Sequence, residues 1–472
     1  MRNFDRNITF AAAVALALSA GVAVAQQLSP ELTAFREIYR ELVEINTTDS
    51  VGDTVRAAEA MAARLRAGGF PAQDIRVLSS GPRKGNMVAR LRGTGAGRPI
   101  LLLAHLDVVE ARREDWASDP FKLQEVDGYF RARGAIDDKA MASIFVANLI
   151  EYVKQGFKPE RDIILALTAD EELSDSPHNG VRWLLENHRE LIDAEFAINE
   201  GGGGALRGGR PFRLNLQLAE KVYQTYELEV TNPGGHSSVP RRENAIYRLA
   251  DALRRLADHE FPPRLNAVTR GFFERMAAVE TPEMAEAIRA LLAGRTDAAA
   301  LAPLSDRPDY NAQIRTTCVA TLLTAGHAEN ALPQSARAMV NCRILPDEPV
   351  KDVERTLVRV IADEKVAVTP KGVAVLSPPS GMKPEVMQIV ARLGEETWPG
   401  VPLNAVMSTG YTDSRWLRNA GIPAYGVSGL FSDPLRNGVH GLNEQIRVQD
   451  LYKGKDFLHR LVKLLAGNGK AE

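Results

Sequence analysis

Residues 99–107, PILLLAHLD, form a continuous apolar run that ends in a histidine and an aspartate. A second run of this kind, DIILALTAD at residues 162–170, follows a helical stretch over residues 139–154. Similar runs lie at residues 86–93 and 194–200. Apolar runs separated by helices are typical of strands that are covered on both faces of a parallel sheet. The first half of the chain therefore predicts an α/β domain with a largely parallel sheet.

The pattern changes after residue 217 and returns near residue 383. The intervening segments predict, in order, a strand, an amphipathic helix, two strands, a helix and a strand: residues 222–230, 246–257, 314–324, 336–345, 350–364 and 366–376. This order is typical of a small α+β sandwich with an antiparallel sheet. A region around residues 260–310 is also predicted to be helical, but it carries no chemical motif.

The simplest arrangement is one α/β domain that is interrupted by an inserted α+β domain. We predict that residues 26–218 and 378–472 form the first domain and that residues 219–377 form the second. This division would place the two parts of the α/β domain at opposite ends of the chain.

Residues 1–25 are predicted to be a cleavable secretory signal. A basic start precedes an apolar run, and the run ends in the small residues Ala23-Val24-Ala25. A membrane anchor is the alternative interpretation of such a run. With cleavage before Gln26, we expect a periplasmic or secreted protein that has no membrane segment.

The composition is that of an ordinary globular protein, with 45% hydrophobic and 25% charged residues among 472. The 58 basic and 60 acidic residues give a formal net charge of −2, so no strong positive field attracts nucleic acid. Two cysteines exclude a disulfide scaffold and a cysteine-rich zinc module. Cys318 and Cys342 lie on predicted neighbouring strands and could pair in an exported protein, but free buried thiols are the favoured interpretation.

Most acids and histidines of interest follow the end of a predicted strand, which is where open α/β sheets bind their ligands. His105 and Asp107 are two residues apart, so their side chains point to the same side of an extended chain. A carboxylate beside an imidazole suits a metal ligand, since the acid orients the ring and raises its basicity. When the pair is taken alone, a hydrogen-bonded histidine at a strand end explains it better.

Paired acids mark two further segments. Asp137 and Asp138 precede a predicted helix at Lys139, where acids commonly cap free backbone amides. Glu171 and Glu172 end an apolar strand, and adjacent carboxylates repel one another unless a cation offsets their charge. A metal that is bound by one glutamate while the other transfers protons would use both. A solvated acidic loop is the alternative.

Two further candidate ligands are Glu200, at another predicted strand end, and His440, in a loop before the last predicted helix. Two histidines and several carboxylates suit a metal such as zinc, which accepts nitrogen and oxygen ligands. Because at least three acids and two histidines exceed one tetrahedral site, we expect two metal ions. A bridging carboxylate between them would then hold an activated water.

Five motifs occur in order: H-x-D at 105–107, G-x-x-D-D-K at 134–139, D-E-E at 170–172, N-E-G at 199–201 and H-G at 440–441. With these motifs the chain resembles the di-zinc metallopeptidase family of glutamate carboxypeptidase, aminoacylase-1, succinyl-diaminopimelate desuccinylase, carnosine dipeptidase and the yeast vacuolar carboxypeptidase. The resemblance spans nearly the whole chain after the signal. It implies a zinc-exopeptidase-like catalytic domain with an inserted lid or dimerisation domain, through which a homodimer could form.

The resemblance also implies two zinc ions, which cobalt or manganese could replace. The ligands would be His105 and Glu200 for one ion, Glu172 and His440 for the other, and Asp137 as the bridge. Glu171 would be the general base that takes a proton from the bridging water and returns it to the leaving amine. Asp107 would steady the metal-bound histidine, and the peptide bond Asp137–Asp138 is expected to be cis.

Further matches to the family concern the substrate. His236, in NPGGHSSVP, would stabilise the oxyanion, often across a dimer. Asn330 and Arg343 would contact substrate, and the segment STGYTDSR supplies Thr412 and Arg415. One of the two arginines would hold the substrate carboxylate by paired hydrogen bonds. A surface or interdomain ion pair is the alternative for either arginine.

The sequence thus predicts an exported zinc-dependent hydrolase that cleaves an amide bond next to a free carboxylate, as a carboxypeptidase or dipeptidase does. An N-acyl-amino-acid hydrolase is the alternative, so the substrate is a small peptide or an N-acyl amino acid. A non-catalytic periplasmic binding protein is the alternative of another class, but it has no use for a base such as Glu171. Dinucleotide binding is excluded because GTGAG, at residues 93–97, precedes a strand instead of opening a helix.

Overall fold

The computed structural model describes residues 28–173, 176–433 and 436–467, so the predicted secretory signal lies outside the described residues. Within those three ranges, no helix is both long and apolar enough to span a membrane. The first helix shows how local sequence positions an element. Pro30 occupies its first turn, and the Ser29 hydroxyl accepts a hydrogen bond from the backbone amide of Leu32.

The secondary structure elements follow in chain order. The strands are β1 (Ile75–Gly81), β2 (Lys84–Leu91), β3 (Gly97–His105), β4 (Gln124–Val126), β5 (Tyr129–Arg131), β6 (Arg161–Thr168), β7 (Phe196–Asn199), β8 (Gly204–Arg207), β9 (Arg210–Glu220), β10 (Val222–Thr231), β11 (Gly235–His236), β12 (Thr317–Ala325), β13 (Ala331–Leu332), β14 (Ser335–Ile344), β15 (Ala367–Lys371), β16 (Leu403–Ser408), β17 (Ala424–Gly426), β18 (Phe431–Ser432) and β19 (Gln445–Arg447). The helices are α1 (Pro30–Glu44), α2 (Thr54–Ala67), α3 (Lys139–Lys154), α4 (Gly180–Asn187), α5 (Arg189–Ile192), α6 (Ala245–Ala257), α7 (Ala267–Met276), α8 (Pro282–Leu292), α9 (Ala298–Ser305), α10 (Pro308–Ile314), α11 (Val350–Ile361), α12 (Pro384–Thr397), α13 (Ser414–Asn419) and α14 (Val448–Ala466).

Ten strands form the central sheet, in the order β1-β2-β6-β3-β7-β17-β9-β8-β18 with β16 beside β9. Its middle strands β6, β3, β7 and β17 are parallel, and β16 is parallel to β9. Alternate residues of β3 enter two cores: Ile100 and Leu102 pack with α1, α3 and α14, whereas Leu101 and Leu103 pack with α4 and α13. A strand covered on both faces needs a continuous apolar run, so the predicted α/β architecture is confirmed.

A second, four-stranded sheet is antiparallel throughout, in the order β12-β14-β10-β15. Helices α6 and α11 cover it, and their shared core includes Leu249, Val340 and Leu357. The edge strand β12 leaves apolar side chains in solvent, with Val319 61% and Leu322 65% exposed. This unit lies in the chain between two stretches of the central sheet, as the change of pattern predicted.

Cys318 and Cys342 form a disulfide between β12 and β14. The antiparallel ladder sets the two residues directly opposite each other, with their Cα atoms 4.0 Å apart. The interpretation as free buried thiols is therefore wrong. The physical reason is the pairing register of β12 and β14, which brings the two sulfur atoms together. The pattern of apolar residues alone does not determine this register.

The helical region predicted around residues 260–310 forms the four helices α7 to α10. They bury an apolar cluster that includes Phe272 and Phe273, and Phe212 of β9 and Val406 of β16 pack against it. The Arg275 guanidinium donates a hydrogen bond to Asn404 of β16 at 3.0 Å. These helices therefore lie against the central sheet.

Candidate active site

Three parallel neighbours, β6, β3 and β7, end at the same edge of the central sheet. His105 is the last residue of β3, and Glu200 directly follows β7. Glu171 and Glu172 lie in the turn after β6. Because the carboxyl ends of parallel strands meet at one rim, acids that are far apart in sequence converge here.

Asp137 lies between the two histidines that were predicted to bind metal. Its Oδ1 atom is 3.0 Å from His105 Nε2, and its Oδ2 atom is 3.0 Å from His440 Nε2. Glu200 Oε1 is 3.9 Å from His105 Nε2, and Glu172 Oε1 is 3.0 Å from His440 Nε2. The five side chains thus form two halves that share one carboxylate, which is the arrangement of a bridged two-metal site.

The five side chains and the neighbouring Glu171 form an acidic cluster. Its four carboxylates carry more negative charge than the two histidines can balance. Burial raises the pKa of Glu171 and of Glu200 well above the ordinary value, and repulsion from neighbouring carboxylates adds to the shift. Hydrogen bonds with Asp137 and Glu172 raise the pKa of His440 to about 10. Like charges that are buried together need a compensating cation. The donor atoms, their geometry and their charge therefore fit divalent metal ions.

Asp107 contacts His105 on one strand end and the two glutamates that follow β6. His105 Nδ1 donates a hydrogen bond to the backbone carbonyl oxygen of Asp107 at 2.9 Å, which leaves Nε2 available to a cation. The Asp107 carboxylate accepts hydrogen bonds from the backbone amides of Glu171 at 3.2 Å and Glu172 at 3.0 Å. Asp107 therefore orients the histidine through its backbone and the two glutamates through its side chain.

Glu171 carries an unpaired carboxylate oxygen. Its side chain is buried, and its Oε1 atom has no hydrogen-bond partner among the described residues. A ligand atom from each of Glu171, His105 and Glu200 lies within 4.8 Å of the others. A buried carboxylate left without a partner is costly, and such groups concentrate at functional sites. The arrangement places a proton acceptor beside the predicted metal ligands.

The loop that carries the shared aspartate is held by its backbone. The peptide bond Asp137–Asp138 is cis, as the resemblance implied. Glu444 is fully buried and accepts hydrogen bonds from the amides of Gly134 at 3.0 Å, Ile136 at 2.7 Å and Asp137 at 3.0 Å. Sequence reasoning missed Glu444, although it closes the segment NGVHGLNE and follows the second metal histidine by four residues.

Arg343 and Arg415 converge on one aromatic ring. The Cζ atoms of Arg415 and Arg343 lie 3.9 Å and 5.3 Å from the ring centre of Tyr411, and Tyr223 lies 4.8 Å from Arg343. Burial, together with repulsion from Arg415, lowers the pKa of Arg343, whereas the charge of Glu171 acts in the opposite direction. The two guanidinium groups therefore form one positive site around Tyr411. Sequence reasoning missed both tyrosines.

The side chain of Thr412 belongs to a buried network. Its hydroxyl donates a hydrogen bond to Glu220 and accepts one from the backbone amide of Ser414 at 3.1 Å. Glu220 in turn forms an ion pair with Arg418 at 3.2 Å. The structure thus places Thr412 beside the arginine site, with its hydroxyl engaged by protein groups.

His236 and Asn330 lie apart from this group. They sit on or beside the paired strands β11 and β13, where the Ser237 amide donates a hydrogen bond to the Asn330 carbonyl at 3.1 Å. Both side chains are exposed, and the hydroxyl of Ser238 donates to His236 Nδ1 at 2.7 Å. Among the described residues, neither side chain contacts the acidic cluster.

Known proteins are similar to this chain in sequence and in fold. The sequence profile of peptidase family M20/M25/M40 matches residues 101–464. The N-fatty-acyl-amino acid synthase/hydrolase PM20D1 of Xenopus tropicalis is 31% identical over 376 residues, which cover 77% of this chain and 72% of the relative. The Dictyostelium discoideum protein named "Probable carboxypeptidase S-like 2" is 29% identical over 379 residues, covering 78% and 71%.

Solved structures show the same fold at low identity. The metallo-carboxypeptidase Sso-CP2 of Sulfolobus solfataricus has a TM-score of 0.65 at 18% identity, covering 93% of this chain and 99% of that one. Human carnosine dipeptidase 1 has a TM-score of 0.65 at 15% identity, with the same shares covered. The profile match and the 31% identical relative decide the family. The chain belongs to peptidase family M20/M25/M40 and is a metal-dependent hydrolase that acts on amide bonds.

Proposed function

We propose that the protein is an exported two-zinc hydrolase that cleaves an amide bond next to a free carboxylate, as a carboxypeptidase or dipeptidase does. The observation that carries this proposal is the shared Asp137 carboxylate between His105 and His440, with the unpaired Glu171 beside it. A non-catalytic binding protein has no need of that unpaired carboxylate. The donor set suits zinc, and cobalt or manganese accept the same ligands.

The residues of the cluster have two roles, metal binding and proton transfer. His105 and Glu200 would hold one ion, Glu172 and His440 the other, and Asp137 both. Metal ions at such a site lower the pKa of a bound water and polarise the scissile carbonyl group. Glu171 takes the proton of the attacking water and passes it to the amine nitrogen of the leaving group.

The arginine site determines which end of the substrate is held. Arg343 and Arg415 bind the free carboxylate of the leaving group, because two guanidinium groups supply paired donors to one carboxylate. Tyr411 contacts both arginines and keeps their planes in place. Thr412 directly follows Tyr411 in the chain, and its hydroxyl is held by a hydrogen bond to Glu220. The carboxylate therefore lies on the Glu171 side of the scissile bond.

An N-acyl-amino-acid hydrolase is the second candidate. The relatives named N-fatty-acyl-amino acid synthase/hydrolase favour it, since they align with most of this chain. The chemistry of the cluster is the same for both candidates, so only the group on the acyl side of the bond differs.

A homodimer through the inserted unit completes the proposal. The edge strand β12 has one unpaired side and carries exposed apolar residues, among them Leu322 and Leu323. Exposed apolar edges of this kind pair with a second strand. A second copy that docks there would supply His236 to stabilise the oxyanion and Asn330 to contact substrate. Both side chains are exposed, as such a role requires.

Export is supported by two features. Residues 1–25 have the layout of a signal, with cleavage before Gln26. The disulfide between Cys318 and Cys342 suits an oxidising compartment such as the periplasm.

A hydrolysis screen tests the function. The purified protein is loaded with zinc and incubated with dipeptides, N-acyl amino acids and the matching C-terminal amides, and amine release is measured. We expect cleavage only where the carboxylate is free. Cleavage of internal bonds in long peptides, or equal cleavage of the amides, would contradict the role of the arginine site.

A further inference from the structure

The segment that carries Arg415 also contains a buried carboxylate that has no role in the proposed mechanism. Asp413 is 2% exposed and directly precedes α13. An aspartate at this position commonly accepts hydrogen bonds from the first backbone amides of the helix, but the side chain of Asp413 forms no such bond. Burying a carboxylate is costly unless other donors satisfy it. The side chain of Asp413 therefore serves contacts outside its own helix.

Both carboxylate oxygens of Asp413 face residues that flank the turn after β6. Asn179 Nδ2 donates a hydrogen bond to Oδ1 at 2.6 Å, and the Thr168 hydroxyl donates a longer one to Oδ2 at 3.4 Å. Thr168 is the last residue of β6, and Asn179 directly precedes α4. Glu171 lies between these two donors in the chain. Asp413 thus joins the segment of the arginine site to both sides of the turn that carries the proposed base.

Asn179 extends this contact to the backbone of the turn. The same amide nitrogen donates to the carbonyl oxygen of Asp170 at 3.1 Å, and the side-chain oxygen of Asn179 accepts from the backbone amide of Arg182 at 3.0 Å. Asn179 is buried, so these bonds form away from solvent. Asp170 has a φ of 59°, a conformation that is uncommon outside glycine. The hydrogen bond from Asn179 therefore helps to hold an uncommon backbone conformation directly before Glu171.

Asp413 also interacts electrostatically with Arg415 and Glu171. Burial raises the pKa of Asp413, whereas the hydrogen bond from Asn179 and the charge of Arg415 lower it. Burial likewise raises the pKa of Glu171, and the charge of Asp413 raises it further. One carboxylate thus senses both an arginine of the proposed carboxylate site and the proposed base.

We infer that Asp413 is a positioning residue that couples binding of the substrate carboxylate at the arginine site to the position of Glu171. This inference rests on the proposed function. Tyr411 and Arg415 each lie two residues from Asp413, so a carboxylate that draws them in shifts this segment. Asp413 transmits the shift through Asn179 to the turn before Glu171. Binding of a group that takes no part in the chemistry is thereby used to align the base.

The test measures kcat and KM of zinc-loaded variants on the dipeptide or N-acyl amino acid that the wild type cleaves best. Asp413→Asn keeps the shape of the side chain but loses its charge. We expect kcat to fall about tenfold to a hundredfold, the cost of misplacing a catalytic group, with little change in KM. Asn179→Ser still supplies an oxygen to cap α4 but cannot contact both Asp413 and Asp170, so it should show the same pattern.

A double-mutant cycle separates coupling from a merely structural role. Once Arg415→Lys has weakened the hold on the carboxylate, Asp413→Asn should lower kcat only a few-fold further, because the two changes break the same path. Asp297→Asn is the matched control and should keep the wild-type kcat. Asp297 is exposed and caps α9, and an asparagine caps a helix equally well.

An Asp413→Asn enzyme with the wild-type kcat overturns the inference. Independent effects of the two changes in the cycle also overturn it, as does a fall in kcat that matches a loss of bound zinc. If the wild type cleaves neither dipeptides nor N-acyl amino acids, the proposed function itself fails. The two failures are distinguishable because the second is seen in the wild type alone.

Discussion

At the rim where β3, β6 and β7 end, the predicted metal ligands and Glu171 lie within a few ångströms of one another. At the two-stranded sheet of β11 and β13, by contrast, His236 and Asn330 are exposed, and within the described ranges neither side chain contacts the acidic cluster. The difference teaches that the acidic cluster comes together within one chain, whereas the proposed roles of His236 and Asn330 require a second copy of the chain. We expect changes at the rim to act within one chain and changes at His236 to act between chains.

The largest effect is expected at Glu171. Glu171→Gln keeps the shape of the side chain but cannot accept the proton, so kcat should fall about 10²–10⁴-fold. Metal content, measured on the same sample, should not change, because the proposed ligands remain. Asp170→Asn, the neighbouring acid that pairs with Lys84 at 2.7 Å, serves as a control. An active Glu171→Gln enzyme would refute the assigned base.

The dependence of His236 on a second copy is tested by mixing variants. His236→Ala should lower kcat about 10²–10³-fold, the effect of losing one oxyanion donor. If the donor comes from the partner, mixing equal amounts of inactive His236→Ala and Glu171→Gln should restore about a quarter of the wild-type activity, since half of the dimers then hold one intact site. A mixture that stays inactive after subunit exchange, which is verified by mass spectrometry, would place the action of His236 within its own chain.

Glu444→Gln should weaken metal binding about tenfold to a hundredfold, as outer residues of metal sites commonly do. The amide of the variant loses charge and one acceptor oxygen, so the loop that carries Asp137 is held less firmly. Titration with a zinc chelator measures the change. Saturating zinc should restore most of the activity, and a loss of activity that zinc does not restore would show that Glu444 acts in another way.

Arg343→Lys and Arg415→Lys keep the positive charge but lose the paired donors, so each should raise KM about tenfold with a smaller change in kcat. An effect on kcat alone would contradict binding of the substrate carboxylate. Arg337→Lys, on the same strand as Arg343 but paired with Glu229 at 2.5 Å, is the control.

The smallest effect on catalysis is expected from the disulfide. Replacing Cys318 and Cys342 by serine and alanine should lower the free energy of unfolding by about 2–4 kcal/mol, because the reduced chain has more freedom when unfolded. Activity at low temperature should remain within about twofold, since neither sulfur contacts the cluster. Thermal unfolding with and without reductant measures the difference.

The elements that carry the metal cluster were predictable from the sequence for a physical reason. The strands β3, β6 and β7 are apolar runs long enough to identify, and His105, Glu171 with Glu172, and Glu200 lie at or shortly after their ends. The helix α3 was predicted over its observed range, Lys139–Lys154.

Two strands of the central sheet, β9 and β16, could not be predicted because polar residues interrupt their apolar pattern. The strand β16 contains the fully buried Asn404, and β9 alternates leucines with the half-buried Arg213 and Asn215 and the buried Gln217. Glu444 and Tyr411 gain their importance only from contacts across the fold. The disulfide could not be predicted because it depends on the pairing register of β12 and β14. The residues that flank each cysteine do not indicate that register.

The central claim is a bridged two-metal site with Asp137 between its halves. Metal content per chain, measured by elemental mass spectrometry after zinc loading and removal of free zinc, tests it directly. The account predicts two zinc ions per chain in the wild type and in Glu171→Gln, and fewer than two in Asp137→Asn. One ion or none in the wild type, or two ions still held by Asp137→Asn, would contradict it.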